Sequence, residues 1–389
     1  MFIDPPVSCS HRISALRVFL LAPFLLSTLS IAARAEEPAI ASRLQPFVEK
    51  QTLAGAVTLV ASKEKVLSLQ AAGYSDIAAQ KPMQTSALFW IASQSKPMTA
   101  TALMMLVDEG KVNVNDPVEK YLPEFKGQMV QQDASHLLSP VHPITVKNIL
   151  SHTSGMAFSS PMEKPTLDGL PLHEAVRSYA MMPLQFQPDS KYQYSNAGIN
   201  TAGRIIEVVS GMSYEAFMDE RLFKPLGMKE TTFWPNEEQI ARIAKSYKPS
   251  PEKDGLVETT VTQLKYPLND RTRQPVPAGG LFSTASDVGI FCRMILNNGI
   301  LDGKRYLSEA SVKQMTSKQT AEALKDGYGF GWSTSGDSFG HGGAYSTNMN
   351  INPKSGLITL FMVQHAGFHG DGGQAQGVFN KAAIEAFGK

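Results

Sequence analysis

Two groups of β-prone segments lie near opposite ends of this 389-residue chain, and their positions limit the folds that it can adopt. Residues 55–74 contain two such runs, joined by a charged turn at Lys63-Glu64-Lys65. Near the other end, GYGFGWSTS, YSTNMNINP and GLITLFMVQHA are typical of consecutive antiparallel strands. Segments with helical periodicity separate the two groups. We therefore predict one antiparallel sheet built from N- and C-terminal strands and flanked by helices, with a mostly helical lobe inserted between them.

This arrangement is an α+β fold with two lobes. The sheet lobe would take residues of about 40–110 and about 280–389, and the helical lobe about 111–279. Residues 250–277 are rich in proline and charge and have no sustained period. We predict that they form a long surface excursion. A closing helix is predicted from Gln374 to Phe387.

The first 35 residues have the pattern of a secretory signal peptide. A basic segment precedes the apolar run 18–33, and the small-residue motif Ala33-Arg34-Ala35 then resembles a cleavage site. The apolar run, about 16 residues long, is shorter than the roughly 20 residues that a membrane span needs. We expect residues 36–389 to be exported as one domain, periplasmic or secreted, with no stable membrane span.

Composition excludes several classes of partner. The formal net charge is +1, so nothing in the charge balance favours nucleic acid or anionic lipid. Beyond the predicted signal peptide Cys292 is the only cysteine, which leaves no intrachain disulfide. The neighbouring apolar residues predict that Cys292 is buried. The chain has no H-E-x-x-H motif and no cysteine pair, and we predict neither a metal nor a cofactor.

A helix is predicted in the stretch from Ile91 to Lys111, with Gly110 ending it. Ser93 and Lys96 stand three residues apart at its start, where side chains of a helix are neighbours. Unpaired N–H groups at a helix N-terminus also favour negative charge, so this serine is a candidate nucleophile. The alternative is a simple helix cap beside a solvated lysine. The S-x-x-K pattern also occurs at Ser62 and Ser250, but neither of those begins a predicted helix.

Two further motifs allow both a structural and a functional interpretation. Tyr194-Ser195-Asn196 precedes an amphipathic segment, so its polar residues can cap a helix, or the phenol can lie near a lysine whose charge would lower the phenol's pKa. Residues 340–344, GHGGA, form a glycine-rich turn, or a strand whose backbone a ligand can approach closely. The sequence alone leaves both pairs of alternatives open.

A G-x-S-x-G pattern at residues 336–340 does not qualify as a nucleophile elbow. That motif requires a helix directly after the serine, here Ser338, followed by an acid and a histidine in that order. More glycine and a predicted strand follow instead. We therefore exclude Ser338 as the nucleophile.

Taken together and in this order, the three motifs resemble those of the penicillin-recognising serine hydrolases, especially the class C β-lactamase-like branch. That branch includes β-lactamases, D-alanyl-D-alanine carboxypeptidases, D-aminopeptidases and esterases. The resemblance extends from about Gly55 to the C-terminal helix. The segments that carry it are WIASQSKPMTA, GKVNVNDPVEKYLPEF, ITVKNILSHTSGM, YQYSNAGIN, FKPLGMKETTF, AGGLFSTASDVGIF and GYGFGW.

The resemblance implies a role for each motif. Ser93 would be the nucleophile that forms an acyl-enzyme, and Lys96 would accept or relay its proton. Tyr194 would be a general base, kept phenolate-like by Lys96, that later protonates the leaving group. Which of these two groups takes the first proton stays open. The backbone N–H groups of Ser93 and Ala344 would form the oxyanion hole.

The remaining implied residues bind substrate. Asn196 would hydrogen-bond both Lys96 and the substrate, and His341 and Gly343 would line the substrate site. The third motif departs from the family pattern, because His341-Gly342-Gly343 replaces the usual Lys-Thr/Ser-Gly. A neutral histidine forgoes a charge-assisted contact with a substrate carboxylate, worth about 1.5–3 kcal/mol.

We therefore expect an exported serine hydrolase that cleaves ester or amide bonds, with a preference for neutral acyl substrates. Its partners would be small ester, amide or peptide molecules. The alternatives are a β-lactamase, a D-alanyl-D-alanine carboxypeptidase or a D-aminopeptidase, and a non-catalytic protein that binds penicillin or peptidoglycan fragments. The presence of Ser93, Lys96 and Tyr194 together argues against the non-catalytic alternative.

Overall fold

An antiparallel sheet of seven strands is the centre of the structure, a computed structural model that describes Met1 and residues 39–388. Apart from Met1, the predicted signal peptide lies outside the described residues. The strands are β1 (Gly55–Ala61), β2 (Val66–Asp76), β3 (Lys81–Pro82), β4 (Phe89–Trp90), β5 (Val130–Gln131), β6 (Leu137–Leu138), β7 (Ser246–Pro249), β8 (Leu256–Thr259), β9 (Phe282–Ser283), β10 (Ile300–Leu301), β11 (Lys304–Arg305), β12 (Ser333–Ser335), β13 (Ser338–Gly342), β14 (Asn348–Asn352) and β15 (Leu357–Met362).

The order of strands in the sheet is β12-β13-β14-β15-β1-β2-β3. Strand β1 pairs with β15 through Leu59 opposite Leu360, so the two ends of the chain meet in the middle of the sheet. This confirms the predicted sheet of N- and C-terminal strands. The pattern at residues 336–340 forms the turn and strand of the β12–β13 hairpin, as expected for a serine that is not on a nucleophile elbow.

Helices cover both faces of the sheet. The α-helices are α1 (Gln45–Glu49), α2 (Ser95–Asp108), α3 (Val146–Ser151), α4 (Leu172–Ala180), α5 (Asn196–Ser210), α6 (Tyr214–Phe217), α7 (Lys224–Leu226), α8 (Glu237–Ala241), α9 (Ala285–Leu296), α10 (Glu309–Thr316) and α11 (Ala375–Phe387). A π-helical turn at Met218–Phe223 joins α6 to α7. No helix in the described part of the chain is long and apolar enough to cross a membrane.

The middle strands alternate between two hydrophobic clusters. In β1, Leu59 packs into the larger cluster, which includes α2 and α9, while Val60 packs into a smaller one with α11. Side chains of a strand point alternately to opposite faces, so a strand covered on both faces is buried throughout and largely apolar. Every residue of β1 is accordingly buried.

Helix α2 lies inside the larger cluster and is buried around most of its circumference. Its residues from Ser95 to Leu106 are all buried, as expected for a helix with neighbours on every side. It packs against α5, α10 and the π-helical turn. Gly110 follows in the left-handed conformation (φ +70°) and ends the helix as predicted.

The prediction that residues 250–277 form a surface excursion is wrong for much of this segment. Val261, Leu264 and Leu268 are buried in a third cluster that contains Trp90 and Tyr345. A buried ion pair, Arg273 Nε to Asp168 Oδ2 at 2.7 Å, anchors the segment further. The buried apolar side chains follow strand β8, and the chain there makes these contacts without forming a helix or a strand, so no period revealed them.

Candidate active site

Ser93 lies in a 3-10 turn, Ala92–Gln94, that leads directly into α2. The preceding residue, Ala92, has a left-handed backbone (φ +47°), an uncommon conformation for alanine. Ser93 is partly exposed, whereas its neighbours on both sides are buried. The serine hydroxyl therefore stands at the start of a buried helix with access to solvent.

Lys96 is fully buried one turn into the helix and reaches back to Ser93. Its Nζ lies 3.0 Å from Ser93 Oγ and 2.7 Å from the carbonyl oxygen of Ala278. Burial lowers the pKa of Lys96 well below its usual range, because the charged ammonium loses its hydration in the interior. The lowered pKa makes the amine easier to deprotonate, and a deprotonated amine beside a serine hydroxyl is suited to accept that hydroxyl's proton.

Tyr194 completes this group, but its electrostatics differ from expectation. Burial raises the pKa of Tyr194 above its ordinary value, although a side-chain hydrogen bond with Ser93 acts in the opposite direction. Lys96 Nζ lies over the face of the phenol ring, 4.7 Å from its centre. The prediction that Lys96 lowers the phenol's pKa is therefore wrong for this arrangement, because burial disfavours the charged form of both groups.

Asn196 is the first residue of α5, and Ser195 caps that helix by accepting a hydrogen bond from the Gly198 N–H. The predicted hydrogen bond from Lys96 to Asn196 is wrong, because the described bonds of the lysine amine go to Ser93 and Ala278 and none reaches the Asn196 side-chain oxygen. The Oδ1 atom of Asn196 is buried and has no hydrogen-bond partner among the described residues. Its predicted contact with substrate stays a prediction.

His341 lies on β13, and its ring is 6.0 Å from that of Tyr194. Its Nδ1 is 2.7 Å from the Gly342 carbonyl oxygen and its Nε2 is 2.9 Å from the Tyr328 hydroxyl. Burial lowers its pKa to about 3. The ring is thus neutral, with Nδ1 donating to the carbonyl and Nε2 accepting from the phenol. The predicted substrate contact of His341 stays a prediction, and making it would require one of these bonds to be given up.

Gly343 brings the end of β13 against the segment that carries the nucleophile. A Cβ atom on Gly343 would lie 2.6 Å from the Ile91 carbonyl oxygen and 2.2 Å from Thr347 Oγ1, so only glycine fits. The next backbone N–H, that of Ala344, has no hydrogen-bond acceptor in residues 39–388. The first N–H groups of a helical turn, here that of Ser93, also lack partners within their own helix. Both are available for the predicted oxyanion hole.

Two aromatic residues that sequence reasoning did not assign to the site surround Tyr194. The ring of His152 lies 4.5 Å from the rings of both Tyr194 and Tyr328. His152 Nδ1 accepts the Ser195 N–H, whereas its buried Nε2 has no partner in the described chain. Burial lowers the pKa of His152 well below its usual range, and the charge of Lys96 acts in the same direction. Both residues lie in segments that resemble the family, SHTSGM and GYGFGW, but no local pattern gave either a role.

The structure thus brings Ser93, Lys96, Tyr194 and His341 into one site. The other two S-x-x-K patterns lie in turns. Ser62 Oγ accepts a hydrogen bond from the Glu64 N–H, and Ser250 Oγ accepts one from the Asp254 N–H. Neither serine hydroxyl has a bonded lysine amine among the described hydrogen bonds, as Ser93 has. Helical spacing inside a buried cluster is what distinguishes Ser93.

Comparison with known proteins gives consistent matches over most of the chain. The family model described as Beta-lactamase matches residues 40–380. Protein Rv1367c of Mycobacterium tuberculosis (strain ATCC 25618 / H37Rv) is 33% identical over 355 residues, which covers 80% of this chain and 86% of the relative. Penicillin-binding protein 4 of Amycolatopsis lactamdurans is 30% identical over 319 residues, covering 78% of this chain and 77% of the relative. Esterase EstB of Burkholderia gladioli is 30% identical over 335 residues, covering 79% of this chain and 81% of the relative.

Solved structures show the same fold. The structure titled "EstCE1, a hydrolase with promiscuous acyltransferase activity" superposes with a TM-score of 0.75 and covers 88% of this chain and 97% of its own. Its sequence is 21% identical, so the likeness concerns the fold.

Proposed function

The chain belongs to the Beta-lactamase family of serine hydrolases, and we propose that it hydrolyses esters of neutral acyl groups through an acyl-Ser93 intermediate. The observation that carries this preference is the state of His341. The ring at the third motif is buried, uncharged and hydrogen-bonded at both nitrogens. It therefore supplies no positive charge to a substrate carboxylate.

Each proposed step uses a group already in place. Ser93 Oγ attacks the ester carbonyl carbon, and its proton passes to the neutral amine of Lys96. The backbone N–H groups of Ser93 and Ala344 stabilise the oxyanion. As the bond from the acyl carbon to the alkoxy oxygen breaks, that oxygen takes a proton from the Lys96–Tyr194 pair and leaves as an alcohol. Water then attacks acyl-Ser93, giving the carboxylic acid and restoring the serine.

The surroundings of Tyr194 support a neutral, apolar substrate. The phenol ring of Tyr194 stacks on Phe158, whose side chain is 49% exposed. Burial together with the negative charge of Asp326 raises the pKa of Tyr192 to about 12. An apolar ring and a nearby carboxylate favour an uncharged acyl group over an anion.

We also propose that the protein is exported, to the periplasm or beyond. The support is the N-terminal pattern of a basic segment, a short apolar run and Ala33-Arg34-Ala35. Expression of the full-length chain in a bacterial host, followed by N-terminal sequencing of the released protein, tests this. A mature N-terminus at Glu36 is expected, and protein that keeps Met1 would contradict the proposal.

Substrate preference is tested with the purified protein and a Ser93→Ala variant. Hydrolysis of p-nitrophenyl butyrate should be lost in the variant, and a chromogenic cephalosporin should be turned over more slowly than the ester by the wild-type protein. An Asp337→Ser variant, altered at an exposed residue of the β12–β13 turn, is the control and should behave as wild type. Full ester turnover by Ser93→Ala would refute the nucleophile, and cephalosporin turnover without ester cleavage would refute the substrate class.

A further inference from the structure

A chain of buried hydrogen bonds runs from Lys96 to a carboxylate on another part of the helical region. Lys96 Nζ donates to the carbonyl oxygen of Ala278 at 2.7 Å. The N–H of the same Ala278 donates to Asn200 Oδ1 at 3.0 Å. Ala278 thus accepts a hydrogen bond from the lysine amine through its carbonyl oxygen and donates one to Asn200 through its N–H.

Asn200 is held in turn at its other end. Its Nδ2 donates to the hydroxyl of Tyr179 at 3.0 Å, and that hydroxyl donates to Glu163 Oε1 at 2.5 Å. All three side chains are buried. Because the amide nitrogen must donate to Tyr179, the amide oxygen is the atom that faces Ala278. The tyrosine therefore fixes which way the asparagine points.

Helix packing fixes Pro277, the residue that precedes Ala278. Thr99, one turn after Lys96 on α2, donates to the Pro277 carbonyl oxygen at 2.7 Å. On α5, Gly203 lies one turn after Asn200, and a Cβ atom there would be 2.4 Å from Pro277 Cγ. Pro277 is thus held between α2 and α5, whereas the N–H of Ala278 is held by Asn200 on α5.

The far end of the network reaches the loop beside Tyr194. Glu163 Oε2 accepts the N–H of Ser160 at 2.6 Å, which closes the turn that follows Phe158. The Phe158 carbonyl oxygen accepts the N–H of Asn196 at 2.9 Å, next to Tyr194 in sequence. The Glu163 carboxylate therefore has two contacts. One oxygen holds the loop that packs on Tyr194, and the other is the last member of the network that reaches Lys96.

We propose that Asn200 and Tyr179 are positioning residues for Lys96, an inference that rests on the role of Lys96 in the proposed function. They hold the Ala278 carbonyl where it orients the lysine amine toward Ser93. Neither residue touches the reacting atoms. Their effect on the reaction passes entirely through the Ala278 backbone.

The test measures how fast Ser93 reacts with a fluorophosphonate probe, in which the Ser93 oxygen–phosphorus bond forms and fluoride leaves. Intact-protein mass spectrometry gives the labelling rate over a range of pH for the wild type, Tyr179→Phe and Asn200→Ala. Tyr247→Phe is the matched control, because Tyr247 is a similarly buried residue whose hydroxyl accepts the Ile77 N–H at 2.7 Å and takes no part in this network. Thermal unfolding verifies that each variant is folded.

We expect both variants to be labelled about 10-fold more slowly at the plateau of the pH profile, with the control unchanged. The acid limb should also move to lower pH, because a carbonyl that is no longer held stabilises protonated Lys96 less well. Labelling of both variants at the control's rate would overturn the proposal. A lower plateau with no shift of the acid limb would also overturn it, because partial unfolding alone gives that result. Labelling without ester turnover in the wild type would refute the proposed substrate and still decide the role of Asn200 and Tyr179. A wild type whose Ser93 does not react at all would overturn both.

Discussion

Replacing Gly343 with alanine should disable the site by moving the backbone that follows the third motif. A Cβ atom at this position would be 2.2 Å from Thr347 Oγ1 and 2.6 Å from the Ile91 carbonyl oxygen. The threonine side chain can rotate away, but the carbonyl belongs to the backbone two residues before Ser93. Relief must therefore come from a shift of β13 away from the nucleophile, and this shift carries the Ala344 N–H with it.

The structure sets the size of both expected effects. Loss of one oxyanion-hole donor lowers kcat by about 10²–10³, so Gly343→Ala should lose at least about 100-fold. Forcing one methyl group into a packed site costs about 1–3 kcal/mol of folding free energy. The variant should thus remain folded while losing nearly all of its activity.

The neighbouring Gly342 supplies the control. A Cβ atom on Gly342 would meet its closest heavy atoms at 3.6 Å and 3.8 Å, which is ordinary van der Waals contact. Gly342→Ala should therefore keep kcat for p-nitrophenyl butyrate close to wild type. Steady-state kinetics and urea unfolding of the two variants, measured side by side, separate activity from stability.

Two outcomes would refute this reasoning. If Gly343→Ala kept wild-type kcat, the close approach to Ile91 would not position the oxyanion hole. If Gly342→Ala lost as much activity as Gly343→Ala, any side chain in this strand would be harmful, and the specific clash would explain nothing.

Two predictions concern stability. Burial lowers the pKa of His341 to about 3 and of His365 to about 4, so the unfolded chain takes up these protons first. The free energy of unfolding should have its full value above about pH 6.5. It should fall by up to about 1.4 kcal/mol per pH unit per histidine as the pH drops toward 4. Urea unfolding across this range checks it: His341→Gln should show a shallower fall, and a flat profile for the wild type would contradict it. Separately, Arg273→Met leaves the buried charge of Asp168 without its ion-pair partner and should lower the free energy of unfolding by about 3–5 kcal/mol. Replacing both residues with apolar ones should cost less in the same assay, and an equal cost would refute the ion-pair argument.

Local sequence signals predicted the elements that carry the site. The β-propensity of residues 55–74 predicted a hairpin, which the structure has as β1 and β2. The apolar residues after Ser93 predicted α2, and Gly110 ended it as expected. These features depend on neighbours within a few residues, which is why one sequence suffices to find them.

Contacts within residues 250–277 could not be found in this way. Leu264 and Leu268 are buried against Trp90, which is more than 150 residues away in the chain. A segment without a repeating pattern shows no periodic signal, even when tertiary packing buries several of its apolar side chains. The role of Ala278, which acts through its backbone, leaves no side-chain signal at all.

The sequence by itself determined which groups can react: a serine and a lysine at helical spacing, a tyrosine before a second helix, and a histidine in place of the usual lysine. Tertiary structure alone decided their electrostatic state. Lys96 and Tyr194 both favour their neutral forms because packing around α2 and α5 removes water from them, and desolvation outweighs the attraction expected between an amine and a phenol. His341 is neutral for the same reason, and the hydroxyl of Tyr328, a residue on another segment, lies 2.9 Å from its Nε2. Burial depends on the whole fold, so no spacing of residues along the chain could reveal it.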